Sequence, residues 1–254
     1  MAELAVPILA LPVFSIVAYL YSSVGHGGAS GYLALFALLG IAVPEIVPTA
    51  LTLNIMVASI GLYQYGKQGH FDLQMLIPFS IASIPAAFIG GVIEVPREVF
   101  YMILGAALLF SAWRLLLYRQ RDSELRSLPR RLLWVYGLPI GAGLGLLAGM
   151  IGIGGGVFLS PLLLLLRWAD AKKTAATSAA FIVLNSVSGL TGQLLHTRFN
   201  PLLIVPLIVA VAAGGYVGAR MGAIHLQPRT IRFVLGVVLV MAGTKLVLKV
   251  FLPF

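Results

Sequence analysis

A run of glycines inside a long apolar segment is the feature that most constrains this chain. The run reads Gly152-Ile153-Gly154-Gly155-Gly156. Glycine in a helix interior costs about 1 kcal/mol relative to alanine, so a helix that reaches this run is expected to break. In lipid, a broken helix leaves backbone polar groups without water, and such a break is tolerated only where protein or a polar cavity covers it.

The composition places these segments in a membrane. The chain has 254 residues, of which 60% are hydrophobic and 10% are charged, whereas a soluble domain carries about 25% charged residues. There is no cysteine, so disulfides and thiol chemistry are excluded. We interpret the net charge of +9 as basic residues at helix ends and in cytoplasmic loops, and we expect no nucleic-acid partner.

Ten apolar segments are candidate membrane spans, since a crossing takes about 20 apolar residues. The second and seventh are short, and each begins at a glycine break. The fold class predicted is therefore an all-α polytopic membrane protein with about ten transmembrane segments. The segments lie roughly at 5–24, 28–43, 46–65, 73–93, 97–118, 132–151, 155–168, 171–195, 201–221 and 229–250.

The two halves of the chain resemble each other. A second glycine run, Gly25-His26-Gly27-Gly28, stands 127 residues before the first, and Phe71/Phe199 and Pro78/Pro206 match at a separation of 128. We therefore predict two five-segment repeats that form one integrated membrane domain. Residues 1–118 are the first repeat, 119–131 a cytoplasmic loop, and 132–254 the second repeat.

Because five is odd, the second repeat is predicted to be inverted in the membrane. With the 119–131 loop in the cytoplasm, the positive-inside rule is satisfied by eleven basic residues inside against three outside. This predicts a multi-pass protein of the plasma or inner membrane with both termini extracytoplasmic. The inner residues are Lys67, Arg119, Arg121, Arg126, Arg130, Arg131, Arg167, Lys172, Lys173, Arg220 and Arg229, and the outer ones are Arg97, Arg198 and Lys249.

Two matched breaks in two halves of a membrane protein indicate a transport site. A glycine break frees N–H groups at the start of the following helix, where the helix dipole favours an anion. Tight packing of helices through small residues is the alternative. His26, with Ile153 as its counterpart, could bind an anion, carry a proton or brace the loop.

Polar residues on the third and eighth segments could complete such a site. Asn54, Ser178, Asn185 and Gln193 carry uncharged amides and hydroxyls, although interhelical hydrogen bonds would also explain them. The eight acidic residues all lie outside segment centres, which argues against a carboxylate proton relay and a cation substrate. We find no nucleophile–base pair and no metal-ligand spacing, so we predict no enzyme, no metal and no cofactor.

Several of these motifs resemble those of a known family. The paired glycine runs, and Lys172-Lys-Thr-Ala-Ala-Thr-Ser178 leading to Asn185-Ser186, are similar to the motifs of the TauE/SafE family. The resemblance covers nearly the whole chain and implies a bacterial permease of sulfite, organosulfonates or related small anions. The first half departs from the motif where Ala29 replaces a third glycine.

The function predicted is a secondary transporter of a small sulfur-containing anion such as sulfite or sulfoacetate, exporting by alternating access as one half rocks against the other. An anion channel, an uptake permease for another small carboxylate or sulfonate, and a membrane scaffold are the alternatives. The expected partners are the small anionic substrate and the lipid bilayer, and a homodimer is possible. The predicted substrate-binding residues are Gly25, His26, Gly27, Gly28, Asn54, Gly152, Gly154, Gly155, Gly156, Ser178, Asn185 and Gln193.

Overall fold

The structure is a computed structural model that describes residues 10–39, 43–117, 129–197 and 201–225, with seven further positions between 233 and 248. Within those ranges every regular element is a helix. The first nine predicted segments each correspond to one helix, while most of the tenth and of the 119–131 loop lie outside the described residues. The helices are α1 (Leu11–Ser22), α2 (Ala29–Leu38), α3 (Val43–Lys67), α4 (Leu73–Val92), α5 (Arg97–Leu117), α6 (Arg130–Ile151), α7 (Gly156–Leu165), α8 (Ala171–Gln193) and α9 (Pro201–Ile224).

Five of these helices are long and apolar enough to cross a membrane, and they lie in α3, α4, α6, α8 and α9. The two helices that follow the glycine breaks are much shorter. α2 and α7 have 10 residues each, which at 1.5 Å per residue gives about 15 Å. The hydrocarbon core is about 30 Å thick, so each of these helices reaches only half-way across it.

Capping residues fix where two of the long helices begin. The carboxylate of Asp170 accepts the backbone N–H groups of Lys172 and Lys173, both at 2.9 Å. Asp72 caps α4 in the same way. An aspartate at this position satisfies amides that have no partner within the helix, which is why α8 and α4 start directly after these residues.

A glycine stripe joins α6 to α4. Gly137, Gly141, Gly145 and Gly149 recur every four residues and form one buried face of α6. A side chain at Gly145 would meet the carbonyl oxygen of Ser83 on α4, and one at Gly149 would meet that of Ala87. Because the contacts advance in the same direction along both helices, α4 and α6 are parallel, with their backbones in close contact.

A similar stripe joins α9 to α1. A side chain at Gly214 would meet the carbonyl oxygen of Ser15, and one at Gly218 would meet that of Tyr19. These contacts also advance together, so α1 and α9 are parallel. Neither stripe was predicted from the sequence.

The centre of the protein is the antiparallel pair α3 and α8. Asn54 bonds to Ser186, whereas Tyr65, eleven residues further along α3, clusters with Ala175 near the start of α8. Seven of the twelve residues from Thr174 to Asn185 are alanine, serine or threonine, and buried positions dominate α8. Small side chains allow α8 to lie in the middle of the bundle, where α3, α4, α6 and α7 all pack against it.

The helix directions bring many basic residues to one end of the bundle. α3 ends, and α8 begins, beside the cluster of Tyr65, Ala175 and Ala223. α6 runs parallel to α4, so its first residues lie at the end where α4 starts, close to the end of α3. The basic residues that share this end are Lys67, Arg130, Arg131, Arg167, Lys172, Lys173 and Arg220.

Candidate functional site

The first glycine break follows α1 directly. The chain turns back on itself through backbone bonds from Gly25 N–H to Ser22 O at 3.0 Å and from His26 N–H to Tyr21 O at 2.9 Å. At Gly25 φ is +79°, and a side chain there would overlap Ala175 at the start of α8. Both the backbone angle and the close approach therefore require glycine at this position.

The second break follows α6. Gly152 ends the helix in the left-handed conformation and donates its N–H to Ala148 O at 2.9 Å. Gly155, also left-handed, is the N-cap of α7. A side chain at Gly152 would meet Val47 near the start of α3. The two breaks therefore lie against opposite ends of the central helix pair, since the first contacts the start of α8 and the second the start of α3.

Asn54, in the middle of α3, touches both breaks. Its Oδ1 accepts the N–H of Ala29, the first residue of α2, at 3.1 Å. Its Nδ2 donates to Ser186 Oγ on α8 at 2.9 Å. A side chain at Gly27 would meet Asn54 Oδ1, and one at Gly154 would lie 2.5 Å from Asn54 Nδ2. The side chain is 1% exposed, so these contacts form inside the protein.

The glycines after each break complete the surroundings of this amide. A side chain at Gly154 would also lie 2.6 Å from Ser186 Oγ, while one at Gly156 would meet Ile182 on α8. Gly28 lies against the hydroxyl of Tyr32, and Gly155 against the ring of Phe181. The starts of α2 and α7 thus lie on either side of the Asn54 amide and the Ser186 hydroxyl.

Ser186 belongs to this cluster, although the sequence analysis did not include it among the site residues. The candidates predicted on α8 include Ser178 and Asn185, whereas the face of α8 that meets the second break carries Ile182 and Ser186. Asn54 corresponds to Ile182 at the repeat separation of 128. Extending the repeat alignment through α8 would have indicated which face meets the breaks.

Three other predicted residues on α8 bond to groups outside this cluster. Ser178 accepts a hydrogen bond from Ser160 of α7 at 2.7 Å, so it connects α8 to the short helix after the break. Asn185 lies one turn beyond Phe181 and donates to its carbonyl oxygen at 2.8 Å. Gln193 lies further along α8 and donates to Gly149 O at 3.2 Å, where it braces α8 against α6.

Several buried polar atoms have no hydrogen-bond partner among the residues that the structure describes. Such atoms cost about 1–3 kcal/mol each when they remain unpaired, and each needs an explanation. Asn185 Oδ1 and the Tyr32 hydroxyl lie on the helices that follow or face the breaks. The full set is Tyr32 Oη, Ser80 Oγ, Thr174 Oγ1, Thr177 Oγ1 and Asn185 Oδ1.

The cluster is built from amides, hydroxyls and backbone groups, with one imidazole beside it. His26 is half-buried, and its ring meets that of Tyr21 edge-on at a centroid distance of 6.5 Å. Among the residues whose side-chain burial the structure describes, no aspartate, glutamate, lysine or arginine is buried. The described ranges also contain no group of three or more metal-ligating side chains. The chemistry available there is hydrogen bonding from amides, hydroxyls and helix N-termini.

Comparison with known proteins defines the class. The model of the family described as Sulfite exporter TauE/SafE matches residues 10–246. This match covers both glycine breaks and all twelve predicted substrate-binding residues. The chain therefore belongs to the TauE/SafE family of membrane transporters, and the sequence-based resemblance is confirmed.

Individual relatives agree with this class. A protein of Sinorhizobium fredii described as "Probable membrane transporter protein y4hK" is 38% identical over 234 residues, covering 92% of this chain and 95% of its own length. "Probable membrane transporter protein YdhB" of Bacillus subtilis is 24% identical over 214 residues, covering 82% and 86%. No solved structure matches the chain. The protein is a multi-pass membrane transporter protein by family and by its apolar helices.

Proposed function

We propose that this protein is a secondary transporter that exports a small sulfur-containing anion, such as sulfite or an organosulfonate, by alternating access. The observation that carries the proposal is the position of Asn54. One buried amide contacts the start of α2 through Ala29 and the second break at Gly154. The two breaks then form two halves of one site.

The charge of the substrate follows from the groups around that amide. The N-termini of two short helices begin on either side of it, and the dipole of each favours a negative charge. Amides and hydroxyls can donate to anion oxygens, and the side chains whose burial the structure describes include no buried carboxylate that would repel them. The family description, Sulfite exporter TauE/SafE, supports sulfur oxyanions within the class of small anions.

Helix pairing supports an inverted repeat. If α1 to α5 correspond in order to α6 to α10, where α10 is the predicted tenth segment, then the α4–α6 pair corresponds to the α9–α1 pair. Both pairs are parallel and both use a glycine stripe. The antiparallel α3–α8 pair corresponds to itself, as expected for a pseudo-two-fold axis in the membrane plane.

The same topology supports the proposed orientation in the inner membrane. Seven basic residues share one end of the bundle, where the positive-inside rule places the cytoplasm, so both termini would be extracytoplasmic. An inside-negative potential drives an anion outward with about 2.3 kcal/mol per charge per 100 mV. Export therefore needs no buried carboxylate relay.

Flux into proteoliposomes tests the proposal. Wild-type protein should transport labelled sulfite or a simple alkanesulfonate with saturable kinetics, whereas Gly154→Ala should abolish flux because it crowds Asn54 and Ser186. Gly143→Ala is the matched control, since a side chain there meets nothing within 4 Å. Normal flux in a folded Gly154→Ala protein would show that the site is elsewhere. Unitary currents in voltage-clamped bilayers would instead indicate a channel.

A further inference from the structure

The hydroxyl of Tyr32 lies at the first break without a hydrogen-bond partner among the described residues. Tyr32 is in the first turn of α2 and is 0% exposed. A side chain built at Gly28 would lie 2.6 Å from its Oη and 2.7 Å from its Cζ. The Tyr32 hydroxyl therefore points at Gly28 in the first break. The next residue, Ala29, donates its N–H to Asn54.

Packing fixes this orientation. The Tyr32 ring stacks on Phe14 of α1 at a centroid distance of 5.9 Å, and Phe14 in turn packs on Phe36 at 5.0 Å. All three side chains are fully buried. A ring held on its face by aromatic neighbours keeps its hydroxyl in one place, which is a requirement for a binding group.

The two neighbouring tyrosines at this break behave differently. The Tyr21 hydroxyl accepts a hydrogen bond from Ser30 at 3.0 Å, and the Tyr65 hydroxyl donates to Ser23 O at 2.7 Å. Both hydroxyls are explained by the structure of the break itself. A buried tyrosine hydroxyl normally finds such a partner, so the unsatisfied hydroxyl of Tyr32 calls for a ligand.

We propose that Tyr32 is a substrate-binding residue whose hydroxyl donates a hydrogen bond to an oxygen of the transported oxyanion. This inference rests on the proposed function and adds a residue to its site. A phenol donor suits the oxygen atoms of a small sulfonate or sulfite, and a hydrogen bond to a charged group is stronger than one between neutral groups. The repeat separation places Leu159 opposite Tyr32, so the second break has no equivalent donor.

Tyr32→Phe tests this inference because it removes one oxygen and leaves the ring in place. A hydroxyl that only stabilises the fold would lower Tm when removed, whereas one that has no partner in the protein should leave Tm unchanged or raise it. The KM for sulfite or an alkanesulfonate should rise by about 10- to 100-fold, the value of one hydrogen bond to a charged group. Tyr65→Phe is the matched control and should lower Tm, since its hydroxyl holds Ser23.

The outcomes separate the inference from the function. Wild-type flux together with an unchanged KM in Tyr32→Phe would overturn the role of Tyr32 and leave the transporter assignment intact. The role of Tyr32 in binding would also be overturned if Tyr32→Phe lowered Tm as much as Tyr65→Phe does, or if the Tyr32→Phe protein failed to fold. If the wild type transports no anion, the proposed function fails, and this inference fails with it.

Discussion

The hydrogen bond between Asn54 and Ser186 connects the two halves of the chain through the candidate site, and its strength can be measured. Asn54→Leu is close to isosteric and removes both side-chain bonds of the amide, at 3.1 Å and 2.9 Å. The buried N–H of Ala29 then has no acceptor, which costs about 1–3 kcal/mol. The Ser186 hydroxyl can instead bond to a carbonyl of its own helix. Losing the Asn54–Ser186 hydrogen bond should therefore cost about 0.6 kcal/mol, the average for such bonds in membranes.

We therefore expect Asn54→Leu to destabilise the protein by about 2–4 kcal/mol. Ser186→Ala should cost about 0.6–1.7 kcal/mol in the wild type and almost nothing when Asn54 is already leucine. The assay is a double-mutant cycle on unfolding of the purified protein in detergent. Ser80→Ala is the matched control, because that buried hydroxyl has no partner among the described residues and its removal should not destabilise.

The cycle can refute this reasoning directly. Mutations without a shared contact add within about 0.3–0.5 kcal/mol. If Ser186→Ala costs the same in both backgrounds within that margin, the two side chains are not coupled. The breaks would then not be joined through Asn54, and the case for one shared site would lose its main support.

Three further predictions concern the bundle and the site, the first two measured by thermal unfolding and the third by thermal unfolding together with flux. Gly141→Ala should destabilise the protein by about 1–3 kcal/mol, because the new side chain would meet the Phe79 carbonyl oxygen. Gly143→Ala, where a side chain meets nothing within 4 Å, should be neutral or stabilising by up to about 1 kcal/mol. Equal effects of the two substitutions would contradict the close α4–α6 contact. Asp170→Ala should cost about 1 kcal/mol through loss of the α8 cap, and no change would mean that water replaces it. Asn185→Leu should leave Tm nearly unchanged yet impair sulfonate flux, and normal flux would remove Asn185 from the site.

The helices were predictable because their signals are local. The lengths of the apolar segments predicted nine of the helices, with ends within a few residues of those observed. The exceptions are α1, described only from residue 10, and α2, which ends at Leu38 rather than 43. The glycine breaks were also local, since no ordinary helix contains Gly154-Gly155-Gly156. The position of Asn54 between the breaks depends on tertiary packing. A polar residue in the middle of an apolar segment was nevertheless enough to make Asn54 a candidate.

The remaining features of the site depend on which helix faces pack together. Ser186 and Tyr32 were missed because a serine beside an asparagine, and a tyrosine in an apolar helix, look like ordinary packing residues until their neighbours are known. Gln193 has the same kind of side chain as Asn54, yet it braces α6 at Gly149. The sequence shows that a polar group is buried in lipid, whereas only the packing shows whether its partner is a backbone carbonyl or another side chain at the breaks.

The two glycine stripes have a consequence for how the site could open. Each joins a helix of one sequence half to a helix of the other, α4 with α6 and α9 with α1, and α8 packs on the first pair and α3 on the second. The helices α1, α3 and α9 and the helices α4, α6 and α8 therefore form two groups, each drawn from both halves of the chain, and the groups pack together along α3 and α8. We therefore expect the alternating-access motion proposed above to run between these two groups rather than between the sequence halves, at a boundary that the Asn54–Ser186 hydrogen bond crosses.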